Sequence, residues 1–280
     1  MASDRGTPRP WAELPALAAR LRGRIIRMTT RAGSGHPSSS MSAIDVMCVL
    51  YFGGFLRYDP SFPEWPDRDR FLLSKGHACP ALYACLSEAG FFPEEKLLTL
   101  RELGSPLEGH PNMRRLAGVE ASTGSLGQGL SLGIGHALAA RLDKRGYRTF
   151  VVVGDGECQE GQVWEAAMTA GKYGLANLCA IVDYNKFQQS GSVKETNDLE
   201  PLAEKWRAFG WHALELDGHD MNAIREALAG AAAESKRPTV LLAHTVKGKG
   251  VSFMEADWTY HGRAVKPADE ARALEELGCR

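Results

Sequence analysis

The strongest constraint on the fold lies in the second half of the chain, where short apolar segments alternate with helical ones. The apolar segments are TFVVV (149–153), LCAIVDY (178–184), WHALELD (211–217) and PTVLLAHTV (238–246). Patterns typical of helices lie between them, at 162–173, 199–209 and 223–235. Strands and helices that alternate at these lengths form crossover units. The sequence therefore predicts an α/β fold, with a parallel sheet covered by helices on both faces.

The first half of the chain is predicted to be mainly helical. Apolar residues recur every three to four positions from Trp11 to about Arg31, which indicates an amphipathic helix. The segment RAGSGHPSSS then reads as a loop. Further helices are expected at 41–55, 78–89, 93–103 and 126–144, with a short strand at 71–74. Residues 1–10, rich in proline and charge, are expected to be a disordered leader, and residues 11–280 a single domain.

Composition excludes several classes of protein. The 33 Lys and Arg residues balance 34 Asp and Glu residues, which argues against a nucleic-acid or membrane-surface binder. The N-terminal residues contain no apolar signal segment, and no run approaches the length of a membrane span. The six cysteines form no CxxC pair, and several lie in apolar runs. We therefore expect a cytoplasmic protein with reduced thiols and no nucleic-acid or membrane partner.

Two polar residues follow neighbouring predicted strands. Asp155 lies in Gly-Asp-Gly directly after the valine-rich strand, and Asn185 follows the next strand thirty residues later. A right-handed crossover places both at the same sheet edge, where open α/β sheets bind ligands. Carboxylate and amide oxygens suit Mg²⁺ or Ca²⁺, and substrate phosphate usually completes the coordination of Mg²⁺. The alternative is that both residues merely form turns.

A glycine-rich segment, TGSLGQGLSLGIG (123–135), opens a predicted helix. Glycines at a helix start let the backbone approach an anion or a flat ring, which we expect of Gly124. Gly133 and Gly135 instead suit close helix packing, including packing at a subunit interface. The segment TVKGKG follows the last strand and brings Lys247 to the same edge, where it either meets phosphate or is a solvated loop lysine.

Four histidines lie in glycine-flanked polar loops. They are His36, His77, His110 and His261. Histidine exchanges protons near neutral pH, so four in similar contexts suggest one shared polar pocket. Any one of them alone fits a structural hydrogen-bonding role. The other histidines, at positions 136, 212, 219 and 244, lack this context and are interpreted as structural.

Taken together, these segments resemble the N-terminal, thiamine-diphosphate-binding domain of transketolase. The matching pieces are SGHPSSS, RFLLSKGHA, GVEASTGSLGQG, GDGECQEGQVWEA, DYNKFQQSG and TVKGKG…YHG. They extend from about residue 20 to about residue 265. The resemblance implies a thiamine-diphosphate-binding fold and ketol transfer, in which the cofactor carries a two-carbon unit from a ketose to an aldehyde.

The resemblance also implies ligands for the cofactor and a metal ion. Asp155, Asn185 and the backbone carbonyl of Phe187 would bind Mg²⁺ or Ca²⁺. Thiamine diphosphate would contact residues from several loops, namely Ser39, His77, Gly124, Ser125, Leu126, Gly156, Asn185 and Lys247.

Catalytic roles follow from the resemblance in the same way. The four loop histidines, His36, His77, His110 and His261, would contact cofactor and sugar hydroxyls and assist proton transfer. Glu160 matches a carboxylate that couples paired active sites across the subunit interface.

The length of the sequence sets an expectation about partners. Full-length transketolases continue into a pyrimidine-binding domain, which supplies the glutamate that hydrogen-bonds the aminopyrimidine, and into a third C-terminal domain. This sequence ends at Arg280. We therefore expect the N-terminal subunit of a split transketolase, acting on sugar phosphates in a two-plus-two heterotetramer with a C-terminal subunit.

Alternatives stay open at this point. One is a transketolase-like subunit that delivers its two-carbon unit to a branched sugar or a carrier-protein thiol instead. A non-catalytic partner that retains the fold is a different class, disfavoured because the histidines and both metal ligands are intact. The α subunit of 2-oxo acid dehydrogenases shares the metal pattern but lacks SKGHA and TGSLGQG in this form.

Overall fold

The computed structural model describes residues 6–279. Its α-helices are α1 (Leu14–Ala32), α2 (Pro37–Phe52), α3 (Cys79–Glu88), α4 (Gln128–Leu142), α5 (Gly161–Lys172), α6 (Val193–Asn197), α7 (Leu202–Ala208), α8 (Met221–Ala233) and α9 (Pro267–Glu276). Its strands are β1 (Arg70–Leu73), β2 (Thr149–Gly154), β3 (Leu178–Tyr184), β4 (Phe187–Gln188), β5 (Gly191–Ser192), β6 (His212–Asp217) and β7 (Thr239–His244).

Within the described range, five strands form one parallel sheet in the order β1-β2-β3-β7-β6. This arrangement confirms the predicted parallel α/β fold. The register pairs Gly154 with Asp183, and Asp183 with Ala243, so β2, β3 and β7 end at the same level. The loops that follow these strands therefore meet at one edge. Strands β4 and β5, which the sequence pattern does not predict, form a small antiparallel hairpin beside that edge.

Side chains alternate between two apolar layers, as expected for strands buried on both faces. On β2, Phe150 and Val152 face the layer formed mainly by α1, α2, α3 and α8. Val151 and Val153 face the opposite layer, which contains α4, α5 and α7. Helices thus cover both faces of the sheet, and the loops that follow the strands lie at its carboxyl edge.

Two of the predicted helices differ in the structure. Residues 93–103 do not form an α-helix; a 3-10 helix covers Glu94–Thr99. Three residues per turn place Leu97 and Leu100 on one buried side, while Leu103 lies exposed in a turn. Helix α2 begins at Pro37 rather than Met41, because proline at the first helical position needs no N–H partner. Helix α9 has no counterpart among the predicted elements.

The predicted leader falls partly outside the described residues, because positions 1–5 are not described. At Arg9 the chain contacts the rest of the protein. Its backbone N–H donates to the carbonyl of Phe52 at 2.9 Å, and its guanidinium pairs with Glu88. The division into a leader and one domain stays a prediction.

Membrane and cysteine features can be compared with expectation. In residues 6–279, no helix combines the length and apolar character that crossing a bilayer requires. All six cysteines are free thiols, and five of them are buried. Burial raises the pKa of several, including Cys48 and Cys179 to about 12, so these thiols are protonated at neutral pH.

Two glycines of α4 occupy contrasting surroundings. A Cβ added at Gly133 would lie 2.5 Å from Cγ2 of Val151, so this glycine lets the helix pack closely on the sheet. A Cβ at Gly135 would meet nothing within 4 Å. The close packing expected at Gly133 is therefore helix against strand within the chain, and Gly135 faces open space.

These positions make a matched pair for a stability test. We expect Gly133→Ala to lower the free energy of unfolding by about 1–3 kcal/mol, because the methyl group overpacks the interface with Val151. Gly135→Ala should raise it by up to about 1 kcal/mol, because alanine is the better helix former and space is free. Urea unfolding of both variants checks this. Equal effects of the two substitutions would contradict the assigned packing.

Candidate active site

A cavity of about 760 Å³ opens at the carboxyl edge of the sheet. Its walls come from the segments that follow β1, β2, β3 and β7, together with the start of α2 and the glycine-rich loop before α4. The predicted site residues that line it are His36, Ser39, His77, His110, Gly124, Leu126, Asp155, Gly156, Glu160, Asn185, Phe187, Lys247 and His261. Residues distant in sequence thus converge on one space.

Ser125 is the predicted site residue that does not line the cavity. It is exposed in the glycine-rich loop, where its hydroxyl accepts a hydrogen bond from the Gln128 side chain at 3.1 Å.

Asp155 and Asn185 lie side by side at the ends of β2 and β3. Asp155 is 1% exposed, and its carboxylate accepts hydrogen bonds from the backbone N–H groups of Gly156 and Lys186. The side-chain oxygen of Asn185 accepts from the N–H of Phe187 at 3.1 Å. Burial, and then the charge of Asp183, raise the pKa of Asp155 to about 7. A buried carboxylate with neutral donors is a suitable ligand for a cation.

Asp183, the next-to-last residue of β3, bonds to several of the segments that meet at this edge. Its carboxylate forms a buried ion pair with Lys75 and accepts hydrogen bonds from Ser42 at 2.6 Å and Thr245 at 2.5 Å. It also accepts from the Asn185 amide N–H at 2.9 Å. This bond fixes the orientation of the amide, so the oxygen of Asn185 faces away from Asp183; one of its lone pairs accepts the Phe187 N–H, and the other is available to a cation. We call Asp183 and these four partners the Asp183 network.

Three of the four loop histidines form a cluster that lines the cavity, and His110 lines it beside Gly124. The rings of His36, His77 and His261 lie with centroids 5.0–5.3 Å apart. Burial, followed by the charges of nearby cations, lowers the pKa of His36 to about 4 and that of His261 to about 3. The pKa of His77 is also lowered, chiefly by burial. At pH 7 these imidazoles are neutral, so each ring can both donate and accept a hydrogen bond.

Lys247 lies among these residues and is not a solvated loop lysine. It is 1% exposed, and its ammonium donates to the Ser39 hydroxyl at 2.8 Å and lies 3.1 Å from Nδ1 of His261. Burial, and then the charge of Lys75, lower the pKa of Lys247 to about 7. A cationic group held in this way is well placed to meet an anionic ligand.

Two positions that line the cavity require glycine, because neighbouring side chains lie too close to the backbone there for a Cβ atom. Gly124 has φ +135°, and a Cβ there would lie 2.6 Å from the ring of His110. A Cβ at Gly156 would lie 2.9 Å from Cβ of Gln188, in the β4–β5 hairpin. Glu157, 2% exposed, accepts from the N–H groups of Gly127 and Gly154 and joins the glycine-rich loop to β2.

Sequence reasoning missed several residues of this site. Lys75 and Glu157 lie in the motifs SKGHA and GDGECQEG, but the sequence pattern assigned neither residue a function. The signal that could have identified them is their position within three residues of the end of a strand. Gln188, Gln189 and Ser190 line the cavity from the hairpin, which no periodic pattern indicated. Among the described residues, no group of three or more His, Cys, Asp or Glu residues could hold a metal ion.

Comparison with known proteins identifies the family. Residues 16–280 match the family described as transketolase, thiamine diphosphate binding domain. The chain belongs to this family. It is 45% identical to the 6-deoxy-6-sulfo-D-fructose transketolase subunit SqwG of a Clostridium strain, over 88% of this chain and 90% of that protein. It is 44% identical to one of the subunits of apulose-4-phosphate transketolase from Phocaeicola vulgatus, over 86% of this chain and 85% of that protein.

Larger transketolases match over part of their length. The chain is 42% identical to human transketolase across 93% of its own residues but 41% of that protein. Among solved structures, transketolase from Campylobacter jejuni superposes with a TM-score of 0.90 and 32% identity, covering 95% of this chain and 43% of that one. The thiamine-diphosphate-binding fold expected from the sequence motifs is therefore confirmed.

Lys247 gives a stability prediction with a defined pH dependence. Because its pKa is about 7 when folded and 10.5 ordinarily, the unfolded chain binds more protons between these values. The buried amine therefore destabilises the fold most at and below pH 7, and less as pH rises toward 10.5. We expect Lys247→Met to be more stable than the wild type at neutral pH, by a margin that shrinks toward alkaline pH.

Urea unfolding between about pH 7 and about pH 10 measures this margin. Lys236→Met, at an exposed position, is the control and should show no such trend. A margin for Lys247→Met that does not change with pH would contradict the lowered pKa.

Proposed function

We propose that this chain is the N-terminal subunit of a two-chain transketolase and binds the diphosphate end of thiamine diphosphate. One observation carries the proposal. Asp155, Asn185, the histidine cluster and Lys247 line one cavity at the carboxyl edge of the sheet. When bound, thiamine diphosphate supplies the carbon centre that accepts and releases a two-carbon ketol unit.

A divalent cation, Mg²⁺ or Ca²⁺, fits the oxygen atoms present. The proposed ligands are the Asp155 carboxylate, the Asn185 amide oxygen and the carbonyl of Phe187. The fit rests on the buried carboxylate of Asp155, whose hydrogen-bond donors are backbone N–H groups, and on the Asn185 amide oriented by Asp183. A cation there would remove the electrostatic penalty of burying Asp155 and would bridge protein to diphosphate.

Each remaining residue receives a role from its position. Gly124, Leu126 and Gly156 allow the cofactor to approach the backbone, and Ser125 is assigned with them from the sequence. Lys247 and Ser39 would neutralise and orient anionic oxygens. His36, His77, His110 and His261 would hydrogen-bond cofactor and sugar hydroxyls and move protons between them. Glu160, at the rim of the cavity, is assigned to coupling between sites.

The proposed substrates are sugar phosphates or sugars with another anionic group. Neutral imidazoles suit hydroxyl groups, and the lysine suits an anion. Two relatives are named for 6-deoxy-6-sulfo-D-fructose and for apulose 4-phosphate. These names support a second candidate function, which is ketol transfer outside ordinary pentose phosphate exchange. The cytoplasmic location expected from the sequence stays a prediction.

A C-terminal subunit with a pyrimidine-binding domain is proposed as the partner. The support is that two relatives named as subunits match this chain over 85% and 90% of their own length. We propose a two-plus-two heterotetramer, because two-fold closure is the commonest oligomer symmetry. The cavity is open at its rim, where a second chain would cover the ring end of the cofactor.

Asp155→Asn tests the cofactor site. The substitution keeps the shape of the side chain but removes the anionic metal ligand. We expect Mg²⁺-dependent binding of thiamine diphosphate to the assembled enzyme to weaken by about 100-fold or more in titration calorimetry. Asp143→Asn, an exposed position at the end of α4, is the matched control and should bind normally. Unchanged affinity in Asp155→Asn would refute the site.

The partner is tested by mixing purified chains. We expect the chain alone to show no transfer from a ketose phosphate to an aldose acceptor, and the mixture with its C-terminal subunit to be active. Light scattering should give the mass of two copies of each chain. Steady turnover by the chain alone, or a mixture that stays monomeric with saturating cofactor, would contradict the two-chain proposal.

A further inference from the structure

A second buried polar chain reaches the edge of the cavity from the helical layer. Arg22 on α1 and Asp45 on α2 form a two-pronged ion pair, with nitrogen–oxygen distances of 3.0 and 2.6 Å. Oδ2 of Asp45 lies 2.6 Å from Nδ1 of His219, in the turn between β6 and α8. Nε2 of His219 accepts the backbone N–H of Val246 at 2.8 Å. Val246 immediately precedes Lys247.

The contacts define one protonation state of His219. Burial would raise the pKa of Asp45, but the hydrogen bond from His219 and the charge of Arg22 outweigh it and lower the pKa. An ionised carboxylate accepts only, so Nδ1 of His219 carries the proton. Nε2 then has the free lone pair that the Val246 N–H requires. A single neutral tautomer satisfies both ring nitrogens.

Residues 245, 246 and 248, in the loop after β7, each donate a hydrogen bond to another segment. The Thr245 hydroxyl donates to Asp183, and the Gly248 N–H donates to the carbonyl of Ser38 at 3.0 Å. Between them, the Val246 N–H is held by His219. The side chain of the next residue, Lys247, enters the cavity. The carbonyl of Lys247 also accepts the N–H of Ala256 at 2.9 Å. Since the backbone at 245–248 determines where the Lys247 side chain starts, loss of the His219 contact removes the anchor on its N-terminal side and allows the side chain to shift.

We propose that His219 is a positioning residue for Lys247, acting through the backbone of Val246 and held in place by the Arg22–Asp45 pair. The anchoring rests on these contacts alone. Its consequence for ketol transfer rests on the proposed function. His219 itself lines no part of the cavity described above.

Two amide variants separate the contacts of the two ring nitrogens. His219→Asn places an N–H near the position of Nδ1 and can still donate to Asp45, but it is too short to reach Val246. His219→Gln extends an amide oxygen toward the position of Nε2 and can accept the Val246 N–H. The amide exchange rate of Val246, measured by hydrogen exchange with residue-level resolution, reports the anchor directly.

We expect the exchange rate of the Val246 amide to rise on the order of tenfold in His219→Asn and to stay near the wild-type rate in His219→Gln. In the holoenzyme with its partner, His219→Asn should lower kcat. Because Lys247 is assigned to the anionic oxygens of the cofactor, the same variant should also weaken thiamine diphosphate binding, by a smaller factor than Asp155→Asn does. His219→Gln should restore kcat. The amide exchange and the kinetics together distinguish positioning from general loss of stability.

Other outcomes decide against the proposal. Unchanged Val246 exchange in His219→Asn would overturn the anchoring. Equal loss of kcat in both variants, with the Val246 amide protected only in the Gln variant, would overturn the link to Lys247. If the wild-type holoenzyme shows no ketol transfer, the proposed function fails, and the exchange measurement still decides whether His219 holds the loop.

Discussion

The site depends above all on the buried ion pair between Lys75 and Asp183. Both side chains are 2% exposed, and the pair joins the loop after β1 to the end of β3. Removing one partner of such a pair leaves an uncompensated buried charge, which commonly costs about 3–5 kcal/mol. Further hydrogen bonds from Ser42, Thr245 and Asn185 satisfy Asp183. One carboxylate thus ties α2, β1, β3 and the loop after β7 into a common edge, and it orients the oxygen of Asn185.

The burial and charges of the cavity residues favour two kinds of contact. Lysine can bind an anionic ligand, and uncharged imidazoles can form hydrogen bonds. Burial keeps His36, His77 and His261 uncharged at pH 7 by lowering each pKa. The same burial brings the pKa of Lys247 to about 7, so an arriving anion would favour its charged form. Asp155 has the complementary property, since a cation would favour its ionised form. Cation and anion binding are therefore expected to support each other, as a metal–diphosphate pair requires.

Much of the fold is predictable from local pattern. Strand β3 occupies Leu178–Tyr184, as the apolar run indicates, and the crossover rule brings Asp155 and Asn185 to the same edge. The Asp183 network is not predictable, because Lys75 and Asp183 are 108 residues apart and meet only through the order of the strands. The role of His219 is hidden for the same reason, since its partners Asp45 and Val246 lie on elements remote in sequence. The helix predicted at 93–103 is wrong because Leu97, Leu100 and Leu103 recur every three residues, a spacing that a short 3-10 helix buries as well as an α-helix does, and the segment leaves the helix before Leu103, which is exposed.

The central claim is that Asp155 and Asn185 hold a divalent cation against the diphosphate of thiamine diphosphate. Anomalous diffraction from crystals of the assembled enzyme grown with Mn²⁺ and thiamine diphosphate tests it most directly. The account predicts one anomalous peak within coordination distance of the Asp155 carboxylate and the Asn185 amide oxygen, next to the bound diphosphate. A bound diphosphate whose metal ion is coordinated by other residues, with Asp155 still bonded only to backbone N–H groups, would contradict it.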